Sequence, residues 1–360
     1  MNTDEPFDVA IIGGGIVGCA TVFHLTNHGY RCILLEKNRH LIAGASAGNS
    51  GMLHTGFDAP LGSLELRCIQ ESQKQIYEIL NKLELPCNRI GATMIAWDQI
   101  QLSKLPAIIH NSHQAHVQEV QQLSISELYQ REPNLAVGAT GAIHIPGEAI
   151  IDPWLTPVSF AEHARARGAK VYDCERGQIK SHLVINCGGL YGDIVDRLVG
   201  YNSFRIKPRK GQYLIFDKMA QGLVSSSLLP VPTETTKGVI VFKSMYGNTI
   251  IGPTAEETDD RCATPIIDQN TTSRLKDHGQ KTLYLEHYGV TTAVGNFLIL
   301  IRHSIYGTES DVISCYCWCS FTQHRTNKKQ NTIDKCNQTF GNIEHVQKHK
   351  LGCILTKASV

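Results

Sequence analysis

Three glycines spaced G-x-G-x-x-G, Gly13, Gly15 and Gly18, are the first residues of this 360-residue chain that could do chemistry. A main chain without side chains can lie directly against a diphosphate. Gly13 permits a tight turn, Gly15 lets backbone approach the phosphates, and Gly18 lets a helix pack closely on a strand. Amide groups and the positive end of a helix dipole then face the anion. Glu36 stands eighteen residues beyond Gly18, close to the offset of about 20 expected for an acid that binds a ribose hydroxyl. An arginine there would have indicated a 2'-phosphate.

Such a turn works only between a strand and a helix. Phe7 to Ile12 is a continuous apolar run, as in a parallel strand buried on both faces. From Ile16 through His28 the apolar residues Val17, Ala20, Val22 and Leu25 follow a helical pattern, and Cys32 to Leu35 form a second strand that ends at Glu36. The stretch is an α/β, Rossmann-like dinucleotide unit.

The loop from Lys37 to Ser63 is dense in Gly, Ala and Ser and has no periodicity, which suits backbone lying close to a ligand. Ser46, Asn49 and Ser50 can donate to oxygens of a bound cofactor. His54 could face its reactive ring, or could be a structural hydrogen-bonder. Further on, Leu61 to Leu83 reads as one long amphipathic helix, Arg89 to Trp97 as a strand and Gln99 to Ala115 as a helix. Ser124 and Glu127 have capping-box spacing, and Thr140 to Ile145 is a strand. Pro153 opens a helix that runs to Arg167 and stops at Gly168. Strands at Lys170 to Tyr172 and Leu183 to Asn186 come next. The second leads into Cys187, Gly188 and Gly189 and a helix from Leu190 to Val199, the strand end where open α/β sheets bind ligands.

From there the pattern becomes β-rich. Phe204 to Asp217 and Gly238 to Gly252 contain β-formers, and Gly247-Asn248 signals a turn, so this part is an antiparallel sheet. Arg209 and Lys210 on it either bind an anionic substrate or line a solvated edge. The expected organisation is a nucleotide domain from residues 1–80 and 140–200, a substrate domain from 81–139 and 201–288, and a divergent tail, 289–360. That tail holds five of the 12 cysteines. His345 and His349 have ligand spacing, but the cysteines do not complete a zinc finger, so a poorly ordered tail without metal is expected.

The totals are those of an ordinary globular chain. With 34 Lys+Arg against 33 Asp+Glu, nothing suggests nucleic acid or an anionic membrane as partner. Asp4, Glu5 and Asp8 without a basic residue argue against a signal or transit peptide, and no apolar run is long enough for a transmembrane segment. A cytoplasmic location is expected, with a mitochondrial one as the alternative, and free thiols rather than disulfides.

Taken together, GGGIVG with Glu36, AGNSGMLHTGFD, VINCGGLYGD, KPRKGQY and GNTIIGPTAEETDD resemble the D-amino-acid-oxidase superfamily of FAD-dependent oxidoreductases. The likeness runs from about Phe7 to Arg261 and is nearest to FAD-linked glycerol-3-phosphate dehydrogenases, then L-2-hydroxyglutarate dehydrogenases. It implies a glutathione-reductase-type FAD domain with an antiparallel-sheet substrate domain. Adenosine ribose would lie on Glu36 beside Lys37, diphosphate on the first glycine turn, and flavin near Ser50, Gly51 and His54. Gly188 and Gly189 match a second flavin-contacting strand end. The chemistry implied is hydride transfer from a small anionic hydroxy compound to flavin, with a quinone, another carrier or oxygen taking the electrons. His54 is the candidate base or flavin partner and Arg209 the candidate cation.

Two departures qualify this. Extra strands that the family carries between Lys170 and Leu183 are nearly absent, and residues 289–360 do not match the family's closing segment. A truncated or alternatively joined product is expected from that, and a catalytically silent isoform is the competing reading.

Overall fold

The computed structural model describes residues 5–173, 177–202, 204–233, 238–261, 269–285 and 290–298. They divide into two compact units, which are described separately.

The first unit contains the chain through Ala47 together with Trp154–Lys207. Its elements are β1 (Phe7–Ile12), α1 (Ile16–Asn27), β2 (Cys32–Glu36), α2 (Leu155–Ala166), β3 (Lys170–Asp173), β4 (Ser181–Asn186) and α3 (Gly192–Leu198). The four strands form one parallel sheet in the order β4-β1-β2-β3. Ile11 pairs with Ile185 on one side and Leu34 on the other. Phe7, Val9, Ala10, Ile11, Cys32, Ile33 and Leu34 are buried, which is why these strands read as continuous apolar runs. Helix α1 packs on α2, where Phe23 stacks on Phe160 with ring centres 4.9 Å apart. β4 lies at an edge of the sheet, and Leu183, Val184 and Ile185 are only half-buried.

The second unit contains Gly48–Pro153 and the described chain from Pro208 onward. Its larger sheet holds the strands Arg209–Phe216, Thr249–Gly252, Ile240–Lys243, Ser227–Pro230, Ala92–Ala96, Gly141–Ile145 and Gln121–Leu123, adjacent in that order. All neighbours are antiparallel except Ser227–Pro230 with Ala92–Ala96. The expected hairpin turn at Gly247-Asn248 is present, with Ser244 N–H donating to Asn248 O at 2.8 Å. A second, three-stranded sheet joins Met52–Leu53, Ala149–Ile151 and Cys87–Asn88.

Several expectations change. Leu61 to Leu83 is two helices, Leu64–Gln73 and Ile76–Lys82. The six residues between Ile69 and Ile76 are all polar, and there Gln75 leaves helical geometry with its amide on Ser72 O. Strand Arg209–Phe216 starts five residues later than Phe204, after Pro208, which has no amide for a ladder. Residues 48–80 and 140–153 pack with the antiparallel unit, because Met52–Leu53 pairs with Ala149–Ile151. Of the tail, Val290–Leu298 is a strand on Arg209–Phe216. His345, His349 and the tail cysteines lie outside the described residues.

Candidate functional site

The glycine turn is built around contacts that forbid side chains. Gly13 has φ +107°, and a Cβ there would lie 2.3 Å from Cys187 O. One added at Gly18 would lie 1.9 Å from Gly13 O, the close helix–strand packing expected of this position. At Gly15 it would meet Ser46 Oγ at 3.1 Å.

Glu36 reaches the mouth of the turn. Its Oε2 accepts from Gly14 N–H at 2.7 Å, while Oε1 accepts from Asn38 N–H at 2.9 Å and Asn38 Nδ2 at 2.8 Å. Gly14 was absent from the sequence-based candidates, although the run of three glycines marked it. Ser46, on the short helical turn Ala45–Gly48, accepts from Ile16 N–H at 3.0 Å. Two amides expected to face a diphosphate are thus held by the chain's own oxygens. The other amides of the first turn cannot be satisfied within an α-helix.

Gly188 lies directly beside this turn, its Cα 3.2 Å from where a Gly13 Cβ would be. Asn186 shapes the second glycine pair, accepting from Gly188 N–H at 3.0 Å and donating to Gly192 O at 2.8 Å. Gly189 starts the helical turn Gly189–Tyr191. Lys37 Nζ stands over the Tyr191 ring, 3.4 Å from its centre. Burial pushes the Cys187 thiol up to about 12, and burial followed by the charges of Cys187 and Glu36 does the same for Cys19. Both stay protonated and unreactive near neutrality.

The remaining candidates belong to the second unit. Asn49 Oδ1 accepts from Gly51 N–H at 2.7 Å, and Ser50 between them is half-buried. Gly51 has φ +71°, and a Cβ there would lie 2.5 Å from Ile151 O. Pairing of Met52 with Ile150 and Leu53 with Ala149 brings His54 beside Glu148 at the end of the ribbon. His54 Nδ1 lies 2.9 Å from Glu148 Oε2. Glu148 is 1% exposed and His54 48% exposed. Glu148 Oε1 accepts from Thr55 N–H at 2.7 Å and Thr55 Oγ1 at 2.8 Å, so the carboxylate is fixed before it meets the imidazole.

Arg209 is 11% exposed and paired with Glu257 at 2.9 Å, where strand register sets them opposite each other. It lines a cavity of about 630 Å³ with Arg274, Lys281 and Glu256. Its charge is matched by an acid rather than presented alone. Among the described residues no His/Cys/Asp/Glu cluster could hold a metal, and no helix is long and apolar enough to cross a membrane.

A parallel βαβ unit with a glycine turn, a helix amino end and an acid at the turn's mouth defines a dinucleotide-binding α/β protein. The sequence profile of the FAD dependent oxidoreductase family (DAO) matches residues 8–289, and the chain belongs to that family. It is similar to a glycerol 3-phosphate dehydrogenase of Caloramator mitchellensis, 31% identical over 284 residues, covering 74% of this chain and 58% of the relative. The chain therefore spans less than two thirds of that relative's length. An L-2-hydroxyglutarate dehydrogenase of Indibacter alkaliphilus is 28% identical, over 69% of this chain and 68% of the relative. The FAD-bound L-alpha-glycerophosphate oxidase of Mycoplasma pneumoniae shares the fold, with a TM-score of 0.72 at 24% identity, covering 81% of this chain and 83% of that one.

Proposed function

We propose that this chain is an FAD-dependent dehydrogenase or oxidase acting on a small anionic hydroxy compound, with glycerol 3-phosphate the first candidate and L-2-hydroxyglutarate the second. The similarity to enzymes with those names supports the substrate class. The observation that carries the chemistry is the His54–Glu148 pair.

The glycine cradle fits FAD, because Gly13 and Gly18 leave no room for side chains and Glu36 stands at the mouth. The first-turn amides other than those of Gly14 and Ile16, together with the Ser46 hydroxyl, are the donors for the diphosphate, Glu36 with Lys37 takes the ribose, and Gly188 and Gly189 support the second strand end. Asn49, Ser50 and Gly51 are the candidates toward the ring. When bound, FAD supplies a hydride acceptor.

The chain's own part is to handle the proton and hold the substrate. With its proton on Nδ1, His54 donates to Glu148, leaving Nε2 as the basic nitrogen for the substrate hydroxyl. The buried carboxylate also stabilises the imidazolium that forms. Arg209 remains the candidate for the anionic group and would have to share its charge with Glu257. A quinone, another carrier or oxygen is the proposed electron acceptor, in the cytoplasm or mitochondrion. Anaerobic bleaching of the bound flavin by glycerol 3-phosphate or by L-2-hydroxyglutarate tests the proposal and separates the two substrates. Flavin that neither bleaches would favour the silent isoform.

A further inference from the structure

Strand order puts β4 and β2 on opposite sides of β1. At about 4.8 Å per strand, their carboxyl ends stand roughly 10 Å apart, with the glycine turn between them. The residues that follow those ends nevertheless touch, because Lys37 Nζ lies 3.4 Å from the centre of the Tyr191 ring.

That contact closes a circuit around the turn. Gly14 N–H donates to Glu36 at 2.7 Å, and Glu36 is bonded to Lys37, which reaches Tyr191. Tyr191 N–H donates to Gly188 O at 2.9 Å, and Gly188 abuts Gly13. Lys37 is exposed, so burial does not fix its position. What places the ammonium is the face of the Tyr191 ring, which attracts a cation electrostatically. A cationic arm therefore crosses between the two flanks of a site that takes a dianionic group.

We propose that Lys37 and Tyr191 form a clasp across the glycine turn that slows the exit of a diphosphate-bearing cofactor, Tyr191 being the residue that positions the ammonium. The proposal rests on the dinucleotide reading above. Besides flanking the ribose, Lys37 adds positive charge toward the neighbouring diphosphate, and Tyr191 keeps the ammonium against its ring face instead of in bulk water.

The test is the rate of FAD release from loaded full-length protein after dilution, followed by flavin fluorescence. Tyr191→Ala should speed release about two- to fivefold, the range for an exposed cation–π contact. Lys37→Met should speed it at least as much, and the double variant should release no faster than Lys37→Met alone, because both changes open one device. Tyr191→Phe keeps the ring face and should release at the wild-type rate. Unchanged release from Tyr191→Ala or Lys37→Met, or effects that multiply in the double variant, would overturn the clasp. Lys37 is exposed, so Lys37→Met cannot act by unfolding the sheet. Wild-type protein that takes up no FAD overturns both the clasp and the dinucleotide reading. FAD that binds but leaves wild type and variants equally fast overturns the clasp alone.

Discussion

Replacing Glu148 by glutamine changes one atom of the histidine pair and leaves its shape intact. In the native chain the buried carboxylate meets three donors: Thr55 N–H at 2.7 Å, Thr55 Oγ1 at 2.8 Å and His54 Nδ1 at 2.9 Å. A glutamine amide oxygen can keep both Thr55 donors, which turns the amide nitrogen toward His54. Nδ1 must then accept, the ring proton moves to Nε2, and the basic nitrogen is lost. A hydrogen bond to a charged group is worth about 1.5–3 kcal/mol, or roughly 10- to 150-fold in rate if felt only when the imidazolium forms. With the tautomer penalty added, flavin reduction by substrate should slow by about 100-fold or more, within the roughly 10²- to 10⁴-fold that a general base supplies. Stopped-flow bleaching under anaerobic conditions measures it. FAD content should not change, since Glu148 is not among the residues assigned to the cofactor and glutamine keeps its shape and both bonds from Thr55. A variant that reduces its flavin within about threefold of wild type would refute the assignment of His54 and Glu148 to the proton.

Three further changes test the cradle and the fold around it. Gly15→Val adds a branched side chain where even a Cβ meets Ser46 Oγ at 3.1 Å, so purified protein should lose its flavin; full FAD content would contradict the placement of the diphosphate. Gly18→Ala forces a Cβ to within 1.9 Å of Gly13 O, and the loss should reach at least about 3 kcal/mol, seen as a Tm several degrees lower. Burial, reinforced by the charge of His28, lowers the His24 pKa from 6.5 to about 4. The unfolded chain then takes up the proton first. This contribution is therefore complete above about pH 6.5 and is lost as pH falls toward 4, by up to about 3 kcal/mol. Urea unfolding of His24→Gln should show a shallower fall in stability across that window; an unchanged slope would exclude His24 as its source.

What could be read in the sequence depended on the range of the interactions involved. The first βαβ unit was legible because strands buried on both faces become unbroken apolar runs, and because Gly13, Gly18 and Glu36 act within one short stretch. The Ser124–Glu127 capping box was legible for the same reason, and both of its reciprocal bonds are present. Glu148 left no signal, since 94 positions separate it from His54 and only the pairing of Met52 with Ile150 brings them together. Strands of two or three residues, such as Met52–Leu53 and Cys87–Asn88, are too short to show a period. Arg209 looked like an open cation because its partner Glu257 is 48 positions away and is met through antiparallel register. The break between Leu64–Gln73 and Ile76–Lys82 showed only as a missing member of the apolar stripe.

The measurement closest to the central claim is the flavin content of the purified wild-type chain after denaturation. A dinucleotide cradle of this geometry predicts yellow protein that releases FAD at close to one per chain. Colourless, folded protein that takes up no FAD on reconstitution would contradict it.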